Sequence, residues 1–287
     1  MKILLLGHDG FIGQEVYNLF STLEPVEDIL GLSYPGVDLC NSDVVQQIAK
    51  YFTPATAVIM CAGVKRQLGD DLDIFQQNLM MVENVCKILQ QCPVKQFVYF
   101  SSAAVYGEDI HNLNISEETQ IQPRTFYGIA KYASERLLWK VIAKQPQTAL
   151  ALLRPPLIYG IGDKSMGYGP TGFLNKMLKD EEISLWGDAT ELREFLYVKD
   201  IARIVYEVVR SNFRGVLNPV SGKSHSFQQL LDQLVTVTGK TPKITRRDRT
   251  NEKVDNVFSN ILLKKHFPSL RFTTLDIGIR DMLENGI

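Results

Sequence analysis

Cysteine and histidine are scarce in this sequence of 287 residues, and neither is arranged as a metal or redox motif. The four cysteines include no CxxC pair, which predicts reduced thiols in a cytosolic protein rather than a disulfide framework. The four histidines lack the spacing of metal ligands, so we expect no zinc site. The residues concerned are Cys40, Cys61, Cys86, Cys92, His8, His111, His225 and His266.

Long apolar runs and an excess of charge of either sign are also missing. No uncharged stretch approaches the roughly 20 residues of a membrane-spanning helix, and the apolar run at residues 2–6 is followed by no signal-peptide cleavage pattern. The 31 Lys and Arg residues balance 32 Asp and Glu residues, for a formal net charge of −1. We therefore expect no membrane or nucleic-acid partner, and an anionic substrate would need local Arg or Lys side chains.

The composition, 45% apolar and 22% charged, is that of an ordinary globular protein with a large core. Short apolar runs alternate with stretches whose apolar residues recur at helical spacing. Such a pattern is typical of a parallel sheet covered on both faces, and right-handed crossovers then give an α/β, doubly wound (Rossmann) fold. The predicted strands cover residues 2–6, 57–62, 97–100 and 149–153, and the predicted helices cover 12–23, 74–91 and 126–143.

The first predicted strand runs directly into the glycine-rich segment GHDGFIG at residues 7–13, and a helix follows. Glycine allows the backbone to approach a pyrophosphate closely and to adopt a positive φ, and a helix N-terminus adds unpaired N–H groups and partial positive charge. The GxxGxxG spacing alone would also fit a tight strand-to-helix turn. Its place between the first strand and the first helix favours nucleotide binding.

Dinucleotide-binding proteins usually carry an acidic residue that binds the adenosine ribose about 20 residues after the glycine-rich segment. In this sequence no acidic residue stands at the expected end of the second strand. Glu27 and Asp28 lie at that distance, but they precede the apolar run 29–32 and stand at the wrong end of its strand. The carboxyl end presents Ser-Tyr-Pro at 33–35, with neither a carboxylate nor an Arg. The sequence therefore leaves the choice between NAD and NADP open.

Two other acidic positions bear on the cofactor. Asp9, inside the glycine-rich segment, would repel the 2′-phosphate of NADP, which favours NAD. Asp38 and Leu39 follow a third short segment, where they could bond the adenine edge. Asp38 is equally well explained as a turn residue.

A second group of residues suggests proton transfer. Tyr127 and Lys131 are four residues apart in a predicted helix, so both side chains lie on one face. A neighbouring ammonium lowers the pKa of a tyrosine, which makes the pair a tunable proton donor and acceptor. Ser102 ends an apolar strand, where side chains meet a ligand cleft. A YxxxK pair alone is usually a solvated helix face, but its order after the glycine-rich segment and the Ser-ending strand favours catalysis.

The composition changes after Arg154. Residues 155–172 are rich in proline and glycine, which predicts an irregular segment. We expect a dinucleotide-binding domain formed by residues 1–154 plus about 193–222. A smaller, interleaved C-terminal substrate-binding lobe would comprise about 155–192 plus 223–287. The later predicted elements are a helix over 173–179, an extended run over 193–198, a helix over 200–210, a strand over 215–218 and two helices in the tail from about 225.

Seven motifs along the chain resemble those of one family. They are GHDGFIG at 7–13, CAG at 61–63, the helix containing Asn78, FSSAAVYG at 100–107, PRTFYGIAK at 123–131, LRPPLIYG at 153–160 and REFLYVKD at 193–200. Over essentially its whole length, the sequence resembles the extended short-chain dehydrogenases/reductases that act on nucleotide sugars, the NAD-dependent epimerase/dehydratase family. The motifs are specific for the family and not for one substrate.

The resemblance implies catalytic roles at matching positions. Tyr127 is the general acid/base, and Lys131 bonds the nicotinamide ribose and tunes Tyr127. The family's Ser or Thr lies four residues before the Tyr of its VYG motif, which selects Ser102 over Ser101. Tyr106, the Tyr of that motif, is expected to be structural.

The resemblance also implies binding roles. Arg193 matches an arginine that binds the diphosphate of the sugar nucleotide, and Ser102 also contacts the substrate. Arg249 is either a second phosphate ligand or part of a solvated basic stretch. Cofactor contacts are expected from Gly7, Asp9, Gly10, Phe11, Ile12, Gly13, Asp38, Leu39, Cys61, Ala62, Gly63, Asn78, Tyr127, Lys131 and Pro155.

The reactions of such a family share hydride transfer at a sugar carbon, usually C4. A 4,6-dehydratase carries Asp-Glu directly after the catalytic Ser or Thr, whereas this chain has Ala103 and Ala104, which excludes that activity. A 4-ketoreductase is favoured over a 4-epimerase, because an epimerase must retain its cofactor and commonly uses the ribose-binding acid that is missing here. A non-catalytic dinucleotide sensor is disfavoured by the presence of both Tyr127 and Lys131.

The expected partner is a nucleoside-diphosphate sugar, and the protein is also expected to form a homodimer. Relatives often pair through the two helices that correspond to 74–91 and 126–143. The alternative is that the apolar stripes of both helices simply cover the sheet.

Overall fold

The computed structural model describes residues 1–23, 28–164, 169–250 and 252–286. Glu27 and part of the predicted irregular segment, 165–168, lie outside the described residues. In the part described, no helix is long and apolar enough to cross a membrane. The cysteines Cys40, Cys61, Cys86 and Cys92 are free thiols.

Strands and helices alternate along the first half of the chain, as the apolar pattern predicts. Each predicted strand and helix in this part is present, with ends that differ from the prediction by at most two residues. The structure adds a short helix, α2, and a short strand, β5, that the apolar pattern did not reveal. The elements are β1 Lys2–Leu6, α1 Phe11–Thr22, β2 Asp28–Leu32, α2 Ser42–Ile48, β3 Thr56–Met60, α3 Leu72–Gln91, β4 Gln96–Phe100, β5 Asn112–Ile115, α4 Phe126–Ile142 and β6 Ala149–Leu153.

The second half contains shorter elements. They are β7 Leu157–Tyr159, α5 Pro170–Leu178, β8 Glu182–Trp186, β9 Leu192–Tyr197, α6 Val198–Arg210, β10 Gly215–Leu217, β11 Ser224–Ser226, α7 Phe227–Thr238, β12 Lys243–Arg247, β13 Asn256–Phe258, α8 Ile261–His266 and α9 Leu275–Asn285. The prediction of two tail helices was wrong, because the described tail has three helices, α7, α8 and α9, and two strands, β12 and β13, lie between α7 and α8. Every residue of β12 is exposed, so this strand carries no apolar alternation that could reveal it.

Six of the described strands form one parallel sheet in the order β10-β6-β4-β3-β1-β2. Leu6 at the end of β1 aligns with Leu32 of β2 and with Met60 of β3. The chain leaves β2 and returns on the opposite side of β1, so the strand order reverses there. Ligands of open α/β sheets bind outside the carboxyl ends of the strands at such a reversal. The segments after β1 and β3 are therefore the first place to look for a site.

Apolar side chains fill the space around this sheet. Every residue of β3, β4 and β6 is buried, which explains their continuous apolar sequences. The helices α3 and α4 lie against each other, and Val85 of α3 and Leu138 of α4 are fully buried in the same core as the strands. This packing holds the carboxyl ends of the central strands in fixed positions.

The chain divides into two compact units. The first comprises Met1–Glu108, Gln120–Pro155 and Ile201–Asn218, and contains the parallel sheet. The second comprises Asp109–Thr119, Pro156–Asp200 and Pro219–Ile287. Within it, β9 pairs with β7 and β11, β8 with β12, and β5 with β13.

The largest differences between the observed units and the predicted domains lie in two segments. Residues 109–119 and 193–200 belong to the second unit, whereas the predicted boundaries assign both to the nucleotide-binding domain. The reason lies in strand pairing, because β5 pairs with β13, and β9 pairs with β7 and β11. The pairing of β5 with β13, more than a hundred residues further on, leaves no local trace in the sequence.

Candidate active site

The glycine-rich segment forms a tight turn between β1 and α1. The backbone N–H of Gly7 donates to Leu32 O at 2.7 Å, and that of Gly10 donates to Gly7 O at 3.2 Å. Gly7 has a φ of +88°, and a Cβ there would lie 2.7 Å from Ala62 N. A Cβ on Gly13 would lie 2.0 Å from Gly7 O. The turn can therefore be built only with glycine at Gly7 and Gly13.

This turn fits the pyrophosphate of a dinucleotide. The helix α1 starts after Gly10, and no described side chain caps its first N–H groups. Free N–H groups at a helix N-terminus stabilise an anion. Gly10 is exposed and Phe11 and Ile12 are half-buried, so their backbone is open to a ligand. Glycine leaves room for that close approach.

We expect Gly13→Ala to abolish dinucleotide binding. The added methyl group would overlap the Gly7 carbonyl, so the turn must open and the pyrophosphate cradle is lost. We expect NAD affinity to fall by at least about tenfold, with a loss of stability of about 1–3 kcal/mol for the forced backbone shift. Calorimetric titration with NAD and urea unfolding measure the two effects.

Gly36→Ala is the matched control for this prediction. Its Cβ would meet Ser33 O at 3.5 Å, an ordinary contact. NAD affinity should be unchanged in this variant. Equal affinity of the Gly13→Ala variant and the unmodified protein would contradict the assignment of the turn.

The segment after β3 lies beside the glycine turn. The N–H groups of Cys61 and Ala62 both donate to Leu6 O, at 2.9 and 3.0 Å. Asn78 of α3 holds the same segment, since its Oδ1 accepts from Val64 N at 3.0 Å and its Nδ2 donates to Val64 O at 3.1 Å. The side chain of Asn78, a predicted cofactor residue, is therefore hydrogen-bonded to the backbone of the segment after β3.

Ser102, Tyr127 and Lys131 come together in the first unit. Ser102 follows β4, and its Oγ accepts from Ala104 N at 3.1 Å. Thr125 caps α4 by accepting from Gly128 N at 3.0 Å, which fixes the first turn that carries Tyr127. The side chains of Tyr127 and Ser102 are close enough to interact, and Ser102 lowers the pKa of Tyr127. The Lys131 ammonium lies 5.7 Å from the centre of the Tyr127 ring.

Burial governs the protonation of both titratable groups. It raises the pKa of Tyr127 to about 12, a shift that Ser102 opposes and the charge of Glu108 reinforces. It also lowers the pKa of Lys131 to about 8, against the charges of Cys61 and Glu135. The pKa of Tyr127 is raised rather than lowered as expected beside Lys131, because removal from water is the larger effect.

Lys131 is held by its surroundings. Only 4% of the residue is exposed, and its Nζ donates to Phe100 O at 2.7 Å. The same nitrogen lies 4.9 Å from the centre of the Tyr99 ring. A Cβ on Gly63 would come within 3.2 Å of it, so Lys131 also faces the segment after β3.

Sequence reasoning missed a buried ion pair behind these residues. Glu135 and Arg154 form two hydrogen bonds, Nε to Oε1 at 2.9 Å and Nη2 to Oε2 at 2.7 Å. Ser101 Oγ donates to Glu135 Oε1 at 2.5 Å, which distinguishes its structural role from that of Ser102. Arg154 Nη1 donates to Tyr106 OH at 3.0 Å, as expected of a structural Tyr106. Glu135 could have been noticed from its position four residues after Lys131, which places both side chains on one face of the helix.

The remaining predicted cofactor residues lie near the sheet edge. Asp38 Oδ1 accepts from Cys40 N at 2.9 Å, the geometry of a turn aspartate. Leu39 is buried in the core. Pro155 follows β6, and its carbonyl accepts from Ala103 N at 2.9 Å, which ties the segment after β6 to the one that carries Ser102.

The two predicted phosphate ligands belong to the second unit. Arg193 lies on β9, and its Nη1 donates to Val254 O at 2.6 Å and Leu192 O at 2.8 Å. Arg249 forms ion pairs with Glu191 at 2.5 Å and with Asp188 at 3.2 Å. Two carboxylates therefore already neutralise Arg249.

Comparison with known proteins agrees with this arrangement. The sequence profile of the NAD-dependent epimerase/dehydratase family matches residues 3–218. The chain is 24% identical over 303 residues to the UDP-glucose 4-epimerase of Bacillus subtilis, covering 91% of this chain and 89% of that one. It is 24% identical over 270 residues to a dTDP-4-dehydro-6-deoxy-D-allose reductase of a Streptomyces species, covering 84% and 82%.

The fold matches solved structures as well. The UDP-glucose 4-epimerase of Thermus thermophilus, solved in complex with NAD, superposes with a TM-score of 0.83 at 22% identity, covering 99% of both chains. That identity establishes the fold alone, whereas the profile spans most of the chain. On that match, the chain belongs to the NAD-dependent epimerase/dehydratase family, within the extended short-chain dehydrogenases/reductases.

Proposed function

We propose that this protein is an NAD-dependent 4-ketoreductase of a nucleoside-diphosphate sugar. The observation that carries the proposal is the meeting of Ser102, Tyr127 and Lys131 in the unit that also contains the glycine turn. When bound, NAD would supply the hydride chemistry at the sugar carbon.

The three side chains would transfer a proton to the C4 oxygen of the sugar and stabilise the charge that develops. The Ser102 hydroxyl donates a hydrogen bond to that oxygen, and the Tyr127 hydroxyl gives up its proton to it. Lys131 binds the nicotinamide ribose and orients it, and its positive charge stabilises the phenolate that Tyr127 becomes. Arg193 would bind the diphosphate, since Arg249 is already paired with two carboxylates.

Two features support reduction. A pKa of about 12 keeps Tyr127 protonated near pH 7, and the protonated phenol is the form that a ketone needs on becoming an alcohol. The positions after Ser102 are Ala103 and Ala104, which cannot carry the protons of a dehydration.

A 4-epimerase is the second candidate. It is favoured by the likeness to the Bacillus subtilis UDP-glucose 4-epimerase, which extends over 91% of this chain. The same three side chains would serve it, with Tyr127 acting first as a base and then as an acid.

Incubation with 4-keto and 4-hydroxy nucleoside-diphosphate sugars distinguishes the two candidates. We expect a 4-keto sugar to be reduced with one NADH consumed for each product molecule, as followed by absorbance and mass spectrometry. Interconversion of 4-hydroxy epimers without net use of NADH would identify the epimerase instead. A protein that binds NAD but converts neither class would be a sensor.

We also propose that the protein forms a homodimer through α3 and α4. Large apolar side chains remain exposed on both helices, among them Met80, Phe126, Ile129 and Trp139. A dimer interface over these two helices would remove these side chains from water. We expect Trp139→Glu to convert the dimer to a monomer in sedimentation velocity at micromolar concentration. Ile261→Glu, at a similarly exposed apolar position on α8, is the control and should leave a dimer. A monomeric unmodified protein would contradict the proposal.

A further inference from the structure

His8, Asp9 and Ser33 form a closed ring of polar contacts where the glycine turn meets the carboxyl end of β2. Asp9 N donates to Ser33 Oγ at 3.0 Å. Ser33 Oγ lies 2.9 Å from His8 Nδ1, and His8 Nε2 lies 2.9 Å from Asp9 Oδ1. The ring thus joins His8 and Asp9 of the glycine turn to Ser33, which lies 25 and 24 residues further along the chain.

The directions of these bonds follow from the chemistry of the groups. A carboxylate has no proton to donate, so the short contact between His8 Nε2 and Asp9 Oδ1 requires a proton on Nε2. In the neutral imidazole Nδ1 is then an acceptor, so Ser33 donates its proton to Nδ1 while its oxygen accepts from Asp9 N. Each link has one donor and one acceptor. The ring therefore holds the Asp9 carboxylate by one oxygen, Oδ1.

The Asp9 side chain is 64% exposed, so it is open to a ligand. His8 cannot move inward, because it packs on β2 where a Cβ on Gly31 would come within 2.4 Å of His8 Cγ. The carboxylate is thus fixed in place at the end of β2, in a turn that fits a pyrophosphate.

We infer that Asp9, held by His8 and Ser33, replaces the missing β2 acid as the ligand of the adenosine ribose and selects NAD over NADP. The inference rests on the proposed use of a dinucleotide. In folds of this type the acid that binds the ribose hydroxyls stands at the carboxyl end of β2, where this chain has Ser33. A fixed carboxylate accepts hydrogen bonds from the ribose hydroxyls and repels a 2′-phosphate. Since the carboxylate is exposed, it can discriminate between NAD and NADP without burying the ribose.

Calorimetric titration with NAD, NADP and ADP-ribose tests this inference without turnover. We expect Asp9→Asn to weaken binding of NAD and of ADP-ribose by about tenfold or more, the worth of a charge-assisted hydrogen bond. The same variant should bind NADP at least about tenfold more tightly than the unmodified protein, because the like-charge repulsion is gone. Asp232→Asn, an exposed aspartate on α7, makes the same change in net charge and should alter neither affinity.

A second variant separates the ring from the charge. Ser33→Ala breaks the ring and keeps the carboxylate, so we expect NAD affinity to fall by about threefold to tenfold while NADP remains excluded. Unchanged NAD and NADP affinities in Asp9→Asn, with NAD bound normally, would overturn the inference and leave the proposed function standing. Failure of the unmodified protein to bind NAD, NADP or ADP-ribose would overturn both.

Discussion

Replacement of Tyr127 by Phe is expected to reduce kcat by about 10²–10⁴-fold, the usual contribution of a general acid. The substitution removes the hydroxyl that interacts with Ser102 and leaves the ring in place. The protonated phenol is the only group in the proposed mechanism that gives a proton to the C4 oxygen. NAD affinity should change little, because the glycine turn is untouched. Steady-state kinetics with the 4-keto sugar and calorimetric titration with NAD measure the two quantities.

Tyr132→Phe provides the control for this prediction. Tyr132 lies on the same helix and is half-buried, but the proposed mechanism gives it no role. Its variant should retain full kcat. If Tyr127→Phe also retained full kcat, Tyr127 would not be the acid, even with the fold correct. If it lost NAD binding as well, the effect would be structural.

Removal of one partner of the Glu135–Arg154 pair is expected to cost about 3–5 kcal/mol of stability, because the other charge is left buried and unpaired. Glu135 is 1% exposed and Arg154 is 5% exposed, so neither can reach water easily. Glu135→Gln leaves Arg154 without its carboxylate, and Arg154→Met leaves Glu135 without its guanidinium. The double variant removes both charges and should recover much of the loss. Urea unfolding of the four proteins gives the coupling energy.

Glu83→Gln is the matched control, since Glu83 pairs with Lys87 at 3.1 Å on the exposed side of α3. An exposed pair of this kind contributes about 0–1 kcal/mol, so this variant should unfold close to the unmodified protein. A double variant as unstable as the worse single variant would contradict the role of the buried pair.

The pH dependence of activity gives an independent readout of Glu135. Its charge raises the pKa of Lys131, which burial has lowered to about 8. In Glu135→Gln the pKa of Lys131 should fall further, so the ammonium is lost at a lower pH. The alkaline limb of the pH profile of kcat should therefore move towards lower pH relative to the unmodified protein. A change in stability alone would leave the position of that limb unchanged.

The parts of the structure that the sequence predicted are those with a local cause. Continuous apolar runs predicted β1, β3, β4 and β6, because strands buried on both faces have no polar positions. The turn at residues 7–13 was recognisable from its glycines, and Tyr127 and Lys131 from their spacing in one helix. In each case the signal lies within a few neighbouring residues.

The parts that the sequence did not predict depend on distant pairings or on burial. Glu135 and Arg154 meet only after α4 and β6 have packed, and Ser33 meets His8 only when β2 lies beside β1. The pKa of Tyr127 follows from exclusion of water, which no spacing encodes. The strand β12 is exposed throughout, so the apolar pattern that reveals other strands is missing from it.

The division of the chain has a consequence for how such an enzyme diversifies. Each compact unit is assembled from three stretches that alternate along the chain. No single cut therefore releases either unit as an uninterrupted polypeptide, and recombination between genes cannot exchange one for another as a cassette. Either unit can therefore change only by point substitutions or by insertions within its own three stretches.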